Sequence, residues 1–324
     1  MNRATYNLAS LALSRSILSG GHSAAVLRPR LLLTARLFSS AAAPSMSPVS
    51  SKWYTPSIAV AGGTVACAGV ATFLGEQVYA KEMPMSPEKM PKEVVLYQYE
   101  ACPFCNKVKA FMDYYDVPYK IVEVNPLSKK EIKWSDYKKV PILMVDGQQM
   151  NDSSAIIDKL DSMINSEKSA KEVPDNEEEK QWRSWVDNHL VHMLSPNIYR
   201  TTSEALESFD YITSNGNFSF TEKYTVKYAG AAAMYFVSKN LKKKYNITDE
   251  RASLYEAAQQ WVNALGGREF LGGTKPNLAD LAVFGVLRPI RYLRSGIDMV
   301  ENTQIGDWYA RMESVVGESS KIVT

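Results

Sequence analysis

The stretch "VVLYQYEACPFCNKVKAFMDYY", Val94 to Tyr115, decides the fold. Val94 to Tyr99 is β-branched and aromatic, which suits an extended strand, and from Pro103 the apolar residues recur at helical spacing as far as Tyr115. Cys102 and Cys105 sit at the junction. Proline is favoured at the first helical position because its missing N–H has no partner there anyway, so Cys102 falls at or just before the helix N-terminus. Unpaired amides and the helix dipole at that end favour a negative sulfur, which is the reactive form of a thiol. Cys105, one turn further in, faces the same way and is more shielded, so the first cysteine attacks and the second can resolve.

A structural zinc site is a poor alternative. It needs four ligands, and the chain has three cysteines, with no second Cys-x-x-Cys pair. His189 and His192 share a helix face but read as surface or capping residues, so no metal is expected.

Downstream, Tyr119 to Val124 reads as a second strand, which makes a parallel βαβ unit with the first. Then "KVPILMVDGQQMNDSSAIIDKLD", Lys139 to Asp161, offers two short strands about Asp146-Gly147, a hairpin signal, and a helix opening near Asp152 or Ser153. A βαβ followed by ββα is the α/β thioredoxin-like arrangement, expected over 94–165. In that arrangement the loop before the third strand approaches the nucleophile, and Pro141, if cis, turns the Val140 backbone outward to pair with an extended thiol peptide. The helix opening at Asp152 and Ser153 suits the amine and carboxylate ends of a γ-glutamyl group, although simple capping explains the same residues.

The charged, Pro174-containing segment "NSEKSAKEVPDNEEE" marks a linker over 166–179. Beyond it, strand patterns nearly vanish. Helical patterns cover about 177–194, 203–212, 220–245, 249–265, 277–293 and 303–315, with "SPNIYRTT" and "GGREFLGGTKP" as breaks, so an all-α domain is expected over 180–320. Within it, "AGAAAMYF", Ala229 to Phe236, is read as close packing of small residues between helices.

Upstream lies a different composition. Residues 1–75 contain no Asp or Glu but six Lys and Arg among Ser, Ala and Leu. Residues 1–56 therefore read as an organelle transit peptide, mitochondrial in preference to chloroplast. The uncharged 57–75 is just long enough to span a bilayer, yet so rich in Gly and Ala that a linker competes with a single-pass anchor. Residues 76–93, with three prolines, read as a tether. Without the leader, 31 basic residues face 35 acidic ones, which argues against a nucleic-acid surface.

Val94 to Asp161 resembles a glutaredoxin through CPFC, VP and the acidic–serine turn. The chain beyond the linker resembles the helical C-terminal domain of glutathione transferases, where Asp280 in "KPNLADLAVFG" matches their helix-capping aspartate and Asn277 replaces the usual Ser or Thr. The segments "IKWSDYKKVPIL", "WVDNHLVHMLSPNIYRT", "EALESFDYI" and "KYAGAAAMYF" extend the likeness to the membrane-associated prostaglandin E synthase type 2 family. That resemblance implies a dimeric, glutathione-associated isomerase of the lipid endoperoxide prostaglandin H2. It also implies Cys102 as reactive thiol with Cys105 beside it, Tyr99 as a pocket tyrosine, glutathione contacts at Val140, Asp152 and Ser153, and Phe104 lining the pocket. Two alternatives stay open: a glutaredoxin-type thiol–disulfide oxidoreductase acting on small disulfides, and a non-catalytic module binding glutathione, haem or an iron–sulfur cluster.

Overall fold

A computed structural model of the protein describes residues 90–165, 176–216 and 218–323. The expected leader, the apolar 57–75 with Cys67, the tether as far as 89 and residues 166–175 lie outside the described residues. Among the described residues, no helix is long and apolar enough to cross a membrane.

The first layer is a four-stranded mixed sheet in the order β2-β1-β3-β4, formed by β1 (Val94–Gln98), β2 (Lys120–Glu123), β3 (Ile142–Val145) and β4 (Gln148–Asn151). β1 and β2 run parallel, joined by helix α1 (Pro103–Tyr114), while β1–β3 and β3–β4 are antiparallel. The β3–β4 hairpin turns on Asp146 at φ 48° and Gly147 at φ 83°. Two successive positive φ values match the strands' right-handed twist, which is why Asp-Gly serves here. Helix α2 (Ser153–Ile164) closes the unit. This is the α/β arrangement read from the sequence.

The second layer is helical. It comprises α3 (Glu177–Trp185), α4 (Val191–Ile198), α5 (Thr202–Asn215), α6 (Phe220–Thr225), α7 (Ala231–Lys244), α8 (Glu250–Leu265), α9 (Leu278–Leu287), α10 (Arg294–Asn302) and α11 (Ile305–Val316). Both layers share one apolar core, in which Leu96 and Phe111 from the sheet side join Trp261 and Trp308 from the helices.

Three expectations about helices are corrected. The helix drawn to end near Leu194 continues through Pro196 to Ile198, and the Asn197 amide anchors this last turn by donating to the carbonyls of Met193 and Glu250. The pattern over 277–293 is not one helix: α9 ends at Leu287, Pro289 turns the chain through a short 3₁₀ segment, and the unforeseen α10 comes next. The small residues at 229–236 pack on one side only. Gly230 lies so close to Phe209 that an added Cβ would stand 2.5 Å from its ring, whereas Phe236 is 67% exposed.

Helix α1 is the centre of the molecule, buried along nearly its whole length between the sheet and α9. Its charged residues are therefore buried too, and each is met by an opposite charge from a different element. Lys107 pairs with Asp187 at 2.6 Å, Lys109 with Glu100 at 3.1 Å, and Asp113 with Arg288 at 2.8 Å. An unpaired charge there would cost several kcal/mol, of order 3–5, so these pairs tie the cysteine-bearing helix to both layers. Close approach is made possible by Gly285, where an added Cβ would lie 2.5 Å from the Cα of Lys107.

Candidate active site

Cys102 is the N-cap residue of α1, which sets its sulfur at the amide-bearing end of the helix. The turn that delivers it is fixed by the Cys102 N–H donating to the Tyr99 carbonyl at 2.9 Å. The Asn106 side chain donates to the carbonyls of Glu100 and Cys102, at 2.8 and 3.0 Å. Both cysteines are free thiols, Cys105 fully buried and Cys102 partly accessible.

The pair is split electrostatically. A hydrogen bond from the Cys105 thiol, then the backbone N–H groups of Cys105 and Phe104 and the charge of Lys109, hold Cys102 below the usual thiol range against the opposing effect of burial. Burial, followed by donation to Cys102 and the charge of that sulfur, pushes Cys105 well above it. One thiol is thereby set up to ionise and the other to donate.

The other expected residues divide into two groups around this centre. Tyr99 packs with Val140 against Val124, Ile132 and Ile142, and burial, followed by the neighbouring sulfurs, raises its hydroxyl pKa, so the phenol keeps its proton. The Val140–Pro141 bond is cis. Among the described residues, the Val140 backbone enters no hydrogen bond, which leaves it able to pair with an extended peptide. Asp152, at φ 71°, caps α2 by accepting from the N–H groups of Ser154 and Ala155. The Ser153 N–H carries no hydrogen bond among the described residues, so the end of this helix is available to a carboxylate. Phe104 lies toward this second group, its ring 5.8 Å from the Lys107 ammonium.

Several functional neighbours were missed in the sequence. Lys107 donates to Ser154 at 2.8 Å as well as to Asp187, and Ser154 donates to Asp187 at 2.7 Å, so a buried Lys–Ser–Asp cluster backs the α2 N-terminus. A lysine in a helix ordinarily reads as solvated, and only packing against α9 reveals otherwise. Lys109 is the cation whose charge favours the Cys102 thiolate, seven residues after it. That spacing was a usable signal. Glu123, Gln98 and Glu100 gather beside it through strand register. Neither histidine forms part of a ligand set: His192 stacks on Tyr245 at 4.3 Å, and burial, followed by Lys244, pushes its pKa down to about 4. No group of three or more His, Cys, Asp or Glu among the described residues is arranged to hold a metal ion.

A thioredoxin-type sheet carrying a helix-terminal thiol and a cis-proline, backed by a helical layer, defines a glutathione S-transferase-like fold. Residues 96–168 match the family model "Glutathione S-transferase, N-terminal domain". Among solved structures, glutathione S-transferase III in its apo form aligns with a TM-score of 0.48 at 13% identity, over 68% of this chain and 91% of that one. Prostaglandin E synthase 2 of Danio rerio is 45% identical over 277 residues, covering 72% of this chain and 74% of its own. The Mus musculus protein of the same name is 42% identical over 289 residues, covering 75% and 74%. The chain belongs to the prostaglandin E synthase 2 family of enzymes. Nothing in these comparisons supports the haem alternative.

Proposed function

We propose that the protein is a glutathione-dependent isomerase that converts the lipid endoperoxide prostaglandin H2 to prostaglandin E2 with Cys102 as its thiolate. The observation that carries this reading is the division of the two sulfurs, one stabilised as an anion at the start of α1 and the other buried as its hydrogen-bond donor. The family membership supports it.

Glutathione fits the residues present. The Val140 backbone suits its cysteinyl–glycine portion, and the Ser153 N–H with Asp152 suits its γ-glutamyl end. When bound it supplies a second thiol beside Cys102. In the isomerisation the Cys102 sulfur attacks the endoperoxide oxygen on C9, so that an S–O bond forms as the O–O bond breaks, and the oxygen on C11 leaves with the electron pair and gains a proton. Removal of the C9 proton by a base then forms the C9 carbonyl and expels the thiolate. The electrons balance with no external oxidant. Tyr99, holding its proton, donates to the developing oxyanion, and Phe104 offers an apolar wall to the lipid. The acid-free leader supports a mitochondrial address, and 57–75 supports membrane attachment close to a lipid substrate. The family resemblance supports a homodimer.

The test is a product assay with and without glutathione. Conversion above the uncatalysed rate that disappears in Cys102→Ser supports the isomerase, and no conversion by folded protein overturns it. Parallel reduction of a glutathione mixed disulfide identifies the oxidoreductase reading, which the pairing of Cys105 with Cys102 also favours. Turnover in that assay alone would select it.

A further inference from the structure

Beneath the cysteine loop lies a cluster of polar groups that the proposed reaction does not use. Parallel register sets Gln98 of β1 beside Glu123 of β2, at the ends of their strands. Glu123 accepts the backbone N–H of Glu100 at 2.7 Å, and Gln98, 1% exposed, donates from Nε2 to Glu100 at 2.6 Å and to Glu123 at 3.0 Å. Lys109 completes the chain by donating to Glu100 at 3.1 Å, and the same ammonium stabilises the Cys102 sulfur. Two carboxylates thus share one amide, and one of them, Glu100, lies two residues before the thiol and holds the Lys109 cation.

This arrangement is one hydrogen short. The Gln98 Oε1 is buried with no hydrogen-bond partner. Glu100 Oε2 and Glu123 Oε2 also converge on the same amide nitrogen, so a proton on one of the two carboxyls relieves the repulsion between them. Burial, opposed by the Glu100 N–H and Gln98, and reinforced by the Glu100 charge, raises Glu123 to about 7. Glu100 goes the other way: burial raises it, but Lys109 outweighs burial and holds it below the usual range. The proton therefore belongs to Glu123. The charged and titratable groups around it are Glu100 on the loop, Lys109 on α1, Tyr211 on α5 and Tyr99, which also meets the cysteine pair and Glu131, while Lys321 acts on Glu100.

We infer that Glu123 is a positioning residue for the Cys102 thiolate, a buried proton carrier that fixes the Glu100–Cys102 loop and whose charge opposes that of the sulfur. Protonated, it leaves the Lys109 charge to Glu100 and Cys102. Ionised, it adds a second anion to the same cation and makes the thiolate harder to form. By reciprocity, a thiolate at Cys102 makes Glu123 harder to ionise. The inference rests on Cys102 being the reacting thiol, and reactivity rather than turnover tests it, so the isomerase reading and this one can fail separately.

The experiment is iodoacetamide alkylation of the full chain across pH 5 to 9, with modification of the Cys102 peptide read by mass spectrometry. The expected profile for the native protein has two inflections, the thiol's own and one near Glu123's, separated by a change of about two- to fivefold in thiolate fraction. In Glu123→Gln the second inflection disappears and Cys102 titrates lower. A Glu123→Gln profile that superimposes on the native one overturns the inference. Because that variant disturbs a buried cluster, the native protein supplies an independent measurement: the carboxyl ¹³C titration of Glu123, with Cys102 free and after alkylation. A downward move of the Glu123 midpoint on blocking the thiol is expected. An unchanged midpoint overturns the inference.

Discussion

Replacing Asp280 by alanine should remove a buried anchor of the helical layer and weaken the support behind the cysteine-bearing helix. Its side chain is completely buried, and its oxygens accept from the backbone N–H groups of Leu271, Gly272 and Asn277 and from the Trp308 indole, all at 3.0 to 3.1 Å. With Asn277 it forms the capping box that starts α9, the helix packed most extensively on α1. Four bonds to a charged acceptor, at about 1.5–3 kcal/mol each, set an upper range, and their non-additivity brings it down. Relief of a buried carboxylate offsets part of the loss, since burial raises the Asp280 pKa even against those four donors. The net expectation is a loss of about 3–5 kcal/mol, read as the shift in urea unfolding free energy with Trp308 fluorescence as one probe. A loss below about 1 kcal/mol would mean that water or a neighbouring group satisfies the four donors, and the capping argument would be refuted.

Three further outcomes rest on the same geometry. Glu123 titrates near 7 in the fold against an ordinary 4.5, so the folded state binds its proton more tightly. Its contribution to stability is complete below 4.5 and is lost as pH rises through about 7. The native protein should lose up to about 3 kcal/mol relative to Glu123→Gln between about pH 4.5 and 8.5, and a pH-independent difference in urea midpoints would contradict this. Gly285→Ala would set a methyl 2.5 Å from the Lys107 Cα and 2.9 Å from the Asn106 carbonyl oxygen, so α9 must move off α1. The expectation is about 2–4 kcal/mol of destabilisation with altered Cys102 alkylation, and an unchanged melting temperature would count against the packing. Deleting residues 319–324 removes the donors Ser319 Oγ and Ser320 N–H from buried Asp113 and the backbone bonds of 320 and 322 to Tyr119. A loss of about 2–3 kcal/mol is expected, together with concentration-dependent association through the uncovered β2 edge, visible by size-exclusion chromatography.

Much of the thiol site was legible because it is local. Pro103 after Cys102 fixes where the helix begins, and Asp146-Gly147 fixes a hairpin, since both act through the backbone preferences of adjacent residues. The helix ends in the second layer were less legible. Pro196 lies within a helix whose last turn is anchored by Asn197, and Pro289 breaks a pattern whose apolar residues continue past it; single-residue signals cannot separate these cases without the packing around them.

The sequence by itself determined the order of strands and helices in the sheet layer, the cysteine at a helix start and the acidic–serine turn that opens α2, because each depends on contacts within about one turn of chain. Only the tertiary structure decided which charges are buried. Lys107, Lys109 and Asp113 read as solvated helix charges, yet all three are buried, Lys107 under the close approach at Gly285, and they need Asp187, Glu100 and Arg288 from as far as 175 positions away. The pairing of Gln98 with Glu123, 25 positions apart, arises in the same way from strand register. The acidity of Cys102 is therefore written in two places: the helix start in the sequence, and the surrounding charges in the packing that excludes water from them.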